Sequence, residues 1–351
     1  MTAVAELADA RDALAFTLPP EREAHEPPEA RGVARDGVAM LVSRGAAGQI
    51  SHHAFTDLPS LLLPGDLLVV NTSATLPAAV RLDHLALAVH FSTALPDGDW
   101  LVELRGVAGG TTAPFSGGTP GQRLDLPGGA VLTLGARFTG RLWHARLSTA
   151  VAGYLLRHGS PIRYSYVQRP WPIESYQTVF GTTPGSAEMP SASRPFSAEI
   201  VARLVARGIT FAPVTLHTGV SSLEGDEDPY PEPFDVPPAT ARLVNLTRRS
   251  GGRVIAVGTT VVRALETAAR AAGAGGNLVL PAGGWTDHIV TPRSPLLAVD
   301  GLVTGLHEPR SSHLRMLAAF AGLDLLGRCY AAAIDHGYLW HEFGDLHLLL
   351  P

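Results

Sequence analysis

Residues 253–266 contain the pattern that most constrains the fold of this chain. An apolar run of strand length, Val254 to Val257, stops at Gly258-Thr259-Thr260, and apolar residues then recur at helical spacing. The pattern predicts a strand, a tight turn and a helix. The start of such a helix carries unpaired N–H groups and a partial positive charge, which suit a carboxylate or a phosphate. A capped βα unit without a ligand is the simpler interpretation of this stretch alone.

Arginine replaces lysine throughout the chain, since all 27 residues counted as Lys or Arg are Arg. No lysine is therefore available for a Schiff base or for a Walker-type phosphate loop. The net charge of −5 gives no general attraction to nucleic acid, although a local group of arginines can still provide one. The single cysteine, Cys329, excludes an internal disulfide, and its apolar neighbours favour a buried thiol.

The length of 351 residues allows two domains, and no uninterrupted apolar stretch approaches the roughly 18 residues of a membrane helix. The first residues include Glu6 and Asp9, where a signal peptide has basic and then apolar residues. We therefore expect a cytoplasmic protein with no membrane partner. Its oligomeric state stays open between a monomer and a homodimer.

The hydrophobic pattern of the sequence changes between about residues 78 and 150. Short alternating runs separated by turn signals such as Pro127-Gly128-Gly129 predict a small β-barrel or sandwich. On both sides, strand and helix patterns alternate. We therefore predict an α/β fold, with a discontinuous mixed-sheet main domain (1–77 and 151–351) and an inserted β-barrel domain (78–150). Residues 1 to about 35 are expected to form an extended arm, and the acidic segment 224–235 a solvated loop.

Three strand ends or helix starts carry side chains that can form one cleft, because strand ends of an open α/β sheet meet at one edge. Such a cleft suits an anionic or zwitterionic ligand, and a histidine there can act as a general acid or base near neutral pH. A core or capping role is equally plausible for each histidine alone. The side chains are Thr215 and His217; Thr259, Thr260, Arg263 and Glu266; and His307, Arg310 and Ser311.

Other site classes lack their sequence signals. His52-His53 has no third partner at ligand spacing, so no metal is expected. Neither the Gly-x-Ser-x-Gly turn of hydrolases nor the Gly-x-Gly-x-x-Gly turn of dinucleotide enzymes occurs.

A series of short blocks resembles the S-adenosylmethionine:tRNA ribosyltransferase-isomerase family, which makes epoxyqueuosine in tRNA. Each block is weak alone, but their common order along nearly the whole chain is specific. The blocks are Phe55 to Pro59, Pro64 to Val69, Asn71 with Pro77, Tyr176 to Phe180, Thr215-Leu216-His217 with Gly219, Ala256 to Thr260 with Arg263, Leu265 and Glu266, Gly284 to Asp287, Thr304 with His307, Pro309 and Ser311, Ala319 to Gly322, and Gly344-Asp345.

The resemblance implies an α/β domain with an inserted β-barrel and a reaction without a metal. In that family the ribosyl part of S-adenosylmethionine moves to the aminomethyl group of a deazaguanine base in tRNA, and adenine and methionine leave. S-adenosylmethionine and tRNA are the implied partners.

The implied site follows the matched positions. His217 or His307 is the candidate for proton transfer, and Arg263 and Arg310 are candidates for anionic groups. Glu266 or Asp287 could take an amine or ribose hydroxyls. Further ligand contacts are expected from Tyr176, Gln177, Thr215, Gly258, Thr259, Thr260 and Ser311. We expect His217→Ala and Arg263→Ala to abolish activity with little loss of folding.

This chain departs from the family pattern at several positions, so it is a divergent member. Ala74 and Ala79 stand where the family has arginines, Pro195 where it has a histidine, and Gly305 where it has an asparagine. Losing arginines removes contacts of the kind that hold phosphates. Two alternatives therefore stay open: an S-adenosylmethionine enzyme with a small-molecule acceptor, and a non-catalytic ligand-binding relative.

Overall fold

The computed structural model describes residues 16–108, 111–220, 230–273 and 279–351. The first part of the expected arm and the first half of the acidic segment 224–235 lie outside these ranges. The helices are α1 (Leu58–Leu61), α2 (Val151–His158), α3 (Ala198–Ala206), α4 (Pro238–Arg249), α5 (Thr259–Ala271) and α6 (Ser312–Asp335). The strands are β1 (Ala39–Arg44), β2 (Gln49–Ala54), β3 (Leu67–Asn71), β4 (Ser73–Thr75), β5 (Ala79–Leu82), β6 (Leu87–Ala94), β7 (Trp100–Ala108), β8 (Thr111–Pro114), β9 (Arg123–Asp125), β10 (Val131–Arg137), β11 (Leu142–Leu147), β12 (Thr183–Ser186), β13 (Thr210–Leu216), β14 (Glu232–Val236), β15 (Val254–Val257), β16 (Ala282–Thr286), β17 (Gly301–Gly305) and β18 (Leu346–Leu350).

The main body is built on a nine-stranded mixed sheet in the order β16-β14-β13-β3-β15-β17-β18-β1-β2. Its centre is parallel, since β3 pairs in parallel with both β13 and β15, and β15 with β17. All five residues of β3 are buried, as expected for a strand covered on both faces. One face packs against α4, α5 and α6 and the other against α3. The predicted mixed α/β class is confirmed.

The strand-turn-helix predicted at residues 253–266 is present as β15 and α5. Gly258 joins them with φ 99° and ψ 151°, a backbone conformation that glycine alone adopts readily. Its N–H donates to the Val303 carbonyl of the neighbouring strand β17 at 2.8 Å. The turn therefore fixes the start of α5 at the carboxyl edge of the parallel strands.

Strands β5 to β11 form a second sheet of seven antiparallel strands over residues 79–147. They enclose a hydrophobic cluster of their own, which includes Phe91, Trp143 and Tyr154. The expected antiparallel insertion is thus a sheet in the order β5-β6-β7-β11-β10-β9, with β8 beside β7. No pairing between the edge strands β5 and β9 occurs in the part of the chain that the structure describes, so the barrel and its domain boundaries stay predictions.

Helix α6 has the length and apolar composition of a helix that could cross a membrane. Gly322 interrupts it with a non-helical backbone, φ 74° and ψ 163°, so it consists of two shorter helices. Leu317 before the break and Leu326 after it are both fully buried in the main core.

Candidate functional site

A cavity of about 520 Å³ lies between the carboxyl ends of the parallel strands and the inserted sheet. The inserted sheet contributes Ser92, Thr93, Leu101 and Leu142 to its wall. The opposite wall is formed by the start of α5 and by the segment from β17 to α6. Irregular segments 161–166 and 187–192, together with residues 341 and 342, complete the lining.

The turn at the start of α5 lies in the wall, as the sequence predicted. Gly258, Thr259 and Thr260 all line the cavity. The side chain of Thr260 is held from behind, because Asn71 Nδ2 donates to its Oγ1 at 3.2 Å. The first N–H groups of the helix have no carbonyl of their own helix to bind, so this turn is suited to an anionic group.

His307 also lines the cavity. Its Nε2 lies 2.8 Å from Thr304 Oγ1, and its ring stacks on His313 with centroids 4.5 Å apart and planes 7° apart. Burial, together with the neighbouring imidazoles, holds the pKa of His307 well below its ordinary value. Burial also lowers the pKa of His313, to about 4. Both rings are therefore neutral at pH 7 and act through hydrogen bonds of the uncharged imidazole.

His217 does not reach the cavity wall. Its Nδ1 lies 2.7 Å from Ser73 Oγ, which in turn contacts Ser186 Oγ at 2.5 Å. Gly185 lies so close to the ring that an added Cβ would be 2.4 Å from Nδ1. His217, which is half-buried, thus ties β13 to the two-stranded sheet of β4 and β12.

Arg263 lines the cavity, and each of its three guanidinium nitrogens makes a hydrogen bond. It forms an ion pair with Glu232 and donates to the carbonyls of Tyr230, Thr286 and His288 at 3.2, 3.1 and 3.3 Å. The Glu232 carboxylate therefore compensates its charge, and the anion-binding role expected of Arg263 stays a prediction.

Glu266 lies on the far side of α5, away from the cavity. Its carboxylate accepts the N–H groups of Leu297, Ala298 and Val299 at 2.9 to 3.3 Å. Burial raises the pKa of Glu266, and these hydrogen bonds oppose that rise. These hydrogen bonds attach helix α5 to the loop of residues 297–299.

Some of the remaining predicted residues line the cavity, and the others lie outside its wall. Tyr176, Arg310 and Ser311 line the cavity, with Arg310 exposed at its rim in a left-handed conformation, φ 64°. Gln177 instead bonds both backbone groups of Thr75, at 3.1 and 2.8 Å, and Thr215 Oγ1 lies 2.8 Å from Thr72 Oγ1. Asp287 is exposed outside the wall.

The structure adds side chains that the sequence did not single out. Tyr164, Tyr166, His341 and Glu342 all line the cavity. They come from two irregular segments almost 180 residues apart, and no local pattern marks either segment. Burial raises the pKa of Glu342 to about 7, and a hydrogen bond from Tyr166 only partly offsets this effect.

No group of three His, Cys, Asp or Glu side chains able to hold a metal ion occurs among residues 16–108, 111–220, 230–273 and 279–351. The polar side chains that line the cavity are imidazoles, tyrosine, serine and threonine hydroxyls, two guanidiniums and four carboxylates, those of Glu188, Glu232, Glu308 and Glu342.

The fold and the cavity define an α/β protein that binds a small molecule at the carboxyl edge of its parallel strands, under an antiparallel insertion. Comparison with protein families identifies the class further. The sequence model of the family described as "Queuosine biosynthesis protein" matches residues 11–349. This chain belongs to that family.

Individual relatives match over nearly their full length. The chain is similar to the S-adenosylmethionine:tRNA ribosyltransferase-isomerase of Acidiphilium cryptum, with 36% identity over 95% of this chain and 97% of the relative. It is 34% identical to the protein of the same name from Symbiobacterium thermophilum, over 95% of this chain and 98% of the relative. The crystal structure of S-adenosylmethionine tRNA ribosyltransferase from Thermotoga maritima matches 96% of this chain and 100% of its own, with 28% identity and a TM-score of 0.54.

Proposed function

We propose that this protein is an S-adenosylmethionine:tRNA ribosyltransferase-isomerase. It transfers the ribosyl part of S-adenosylmethionine to a 7-aminomethyl-7-deazaguanine base in tRNA and releases adenine and methionine. The observation that carries the proposal is the family match over residues 11–349, with similarly named relatives aligned along almost their whole length. The match spans both sheets, so the walls of the cavity on either side belong to the shared architecture.

The cavity supports S-adenosylmethionine as the donor. Its volume of about 520 Å³ lies within the range of small-molecule sites. The turn at Gly258 to Thr260 offers helix N–H groups to the methionine carboxylate. The ring of Tyr176 offers an apolar face to the adenine, since a purine and a tyrosine stack favourably.

We assign the imidazole that contacts the substrate to His307 and not to His217, because only His307 lines the cavity. A neutral imidazole can donate a hydrogen bond to the departing adenine or accept one from the ribose. Arg310, exposed at the rim, is in a position to meet a phosphate of an approaching tRNA. A cytoplasmic location agrees with these substrates.

The decisive experiment supplies the purified protein with S-adenosylmethionine labelled in its ribose and with tRNA that carries the aminomethyl-deazaguanine. We expect the protein to release adenine, which chromatography detects, and to transfer the label to the tRNA. Adenine release without label in the tRNA would contradict tRNA as the acceptor and favour a small molecule. Ligand binding with no adenine release under any condition would contradict the proposed activity itself. The same tRNA with guanine at the target position is the matched control and should remain unlabelled.

A further inference from the structure

Three buried polar atoms of cavity-lining residues make no hydrogen bond within the part of the chain that the structure covers. One, His341 Nε2, faces the Glu23 carboxylate at 3.5 Å. The other two, Glu342 Oε1 and the hydroxyl of Tyr164, have no such charged neighbour among the described residues. Buried polar groups of folded proteins are nearly always paired, so each exception needs an explanation. Two exceptions in one cavity wall indicate that a ligand completes this part of the wall.

The carboxylate of Glu342 is held in position through its other oxygen. The hydroxyl of Tyr166 donates to Glu342 Oε2 at 2.8 Å. The ring of Tyr166 stacks on His341 with centroids 3.8 Å apart and planes 7° apart. The imidazole of His341 lies 3.4 Å from the Glu308 carboxylate and 3.5 Å from that of Glu23. Glu342 is therefore positioned by a chain of packed side chains that leaves Oε1 for another partner.

Among the residues that the structure describes, the charge of Glu342 lacks the arginine partner that the Glu232 carboxylate in the same wall has. Glu232 forms an ion pair with Arg263. Glu342 has no such partner in the described part of the chain, and the positive charge that lowers its pKa through space is that of Arg194. The Arg194 guanidinium is engaged elsewhere, since it donates to the Ser175 carbonyl at 2.9 Å and to Glu29 at 2.8 Å. A buried carboxylate without a counterion favours either a proton or a bound cation.

Aromatic faces stand next to this carboxylate. The rings of Tyr164 and Tyr166 are stacked with centroids 5.8 Å apart and planes 25° apart. Tyrosine faces attract a positively charged centre, above all one that has no N–H to donate. A carboxylate oxygen beside such faces is a site for an organic cation of the onium class.

We propose that Glu342, Tyr164 and Tyr166 form the subsite that binds the sulfonium centre of S-adenosylmethionine. The inference rests on the proposed function, which supplies the ligand. It adds a charge-recognising element that lies outside the family blocks found in the sequence. In this arrangement the carboxylate recognises the charge of the donor and not its adenosine or methionine parts.

The test compares S-adenosylmethionine with S-adenosylhomocysteine, which lacks the sulfonium methyl group and its charge. Calorimetric titration at pH 8 gives Kd for both ligands with the wild type and with Glu342→Gln. We expect the wild type to prefer S-adenosylmethionine. The variant should lose this preference by at least about tenfold through weaker binding of S-adenosylmethionine alone, because a partner charge has been removed from a desolvated site.

Asp324→Asn is the matched control, because it removes a carboxylate that lies outside the cavity wall and whose side chain is 92% exposed. Its preference should change by no more than about twofold, since an exposed charge is screened. Equal losses for both ligands in Glu342→Gln would assign the carboxylate to the amino group that the ligands share, and would overturn the proposal. An unchanged preference would overturn it too. If the subsite proposal fails in either way but the wild type still releases adenine, the proposed function stands. If the wild type neither binds S-adenosylmethionine nor releases adenine, the proposed function and the subsite are both contradicted.

Discussion

Glu232 and Glu342 are carboxylates in the same cavity wall, and their partners give them different chemistry. Glu232 forms an ion pair with Arg263 and accepts the N–H of Gly219 at 2.9 Å. Glu342 has one tyrosine hydroxyl and no ion pair among the residues that the structure describes. Removing the partner of a paired buried charge destabilises a fold, whereas neutralising an unpaired one can stabilise it.

Glu342→Gln should stabilise the protein at pH 8 and not at pH 4. The pKa of Glu342 is raised from 4.5 to about 7 by burial. Below pH 4.5 the residue is protonated in both the folded and the unfolded state, so it contributes equally to both. Between pH 4.5 and 7 the unfolded state ionises this group while the folded state retains its proton, so stability falls across this window and stays lower at pH 8. Urea denaturation at pH 8 should favour the variant by on the order of 2 kcal/mol. The same difference at both pH values would contradict the assignment.

Arg263→Ala should destabilise the fold, contrary to the expectation from sequence that it would leave folding intact. The change leaves Glu232 buried without its counterion and removes one hydrogen-bond donor from each of three carbonyls. The free energy of unfolding should fall by about 3 to 5 kcal/mol, the usual effect of breaking a buried pair. Adding Glu232→Gln to Arg263→Ala should recover part of this loss, which urea denaturation of both variants will measure. If Arg263→Ala alone is as stable as the wild type, the Arg263–Glu232 ion pair does not stabilise the fold.

At the scale of elements, sequence predicted what depends on local pattern and failed where side-chain direction decides. The strand and helix around Gly258 were predictable because an apolar run, a glycine and a helical period follow each other directly. The direction of His217 was not, since nothing local reveals that Ser73 and Gly185 receive its ring. Glu342 was missed for a related reason: its environment is made by Tyr166, which only the tertiary fold brings close.

Gly258→Ala tests the turn between β15 and α5 as a ligand-binding element. An added Cβ meets no atom closer than 3.6 Å, so its cost comes from the backbone at φ 99° and amounts to about 1 to 3 kcal/mol. Strain at this turn should also shift the N–H groups of α5 and weaken S-adenosylmethionine binding in calorimetry. Gly251→Ala is the matched control, because Gly251 has φ 78° with open space around it and does not line the cavity. It should lose stability but keep the wild-type Kd. Equal Kd values for all three proteins would exclude the turn from the site.

For the whole molecule, the cavity is where the two sheets meet, and neither sheet encloses it alone. The inserted sheet supplies one wall and the parallel strand ends supply the other, while irregular segments far apart in sequence complete the lining. A ligand in this cavity therefore contacts both bodies at once. Its binding energy should stabilise segments that have no direct connection along the chain.

Hydrogen exchange with and without S-adenosylmethionine tests this arrangement. Local opening governs exchange in irregular segments, so a ligand that contacts both walls should slow exchange in several of them together. We expect protection of residues 161–166, 187–192 and 304–311, and no change in β2, which lies at the far edge of the main sheet. A second depression, lined by Val179, Phe180 and Val205 beside α3, provides the internal comparison. Protection there, with none around the cavity, would move the donor site away from the strand ends and remove the basis for assigning His307 and Glu342 to it.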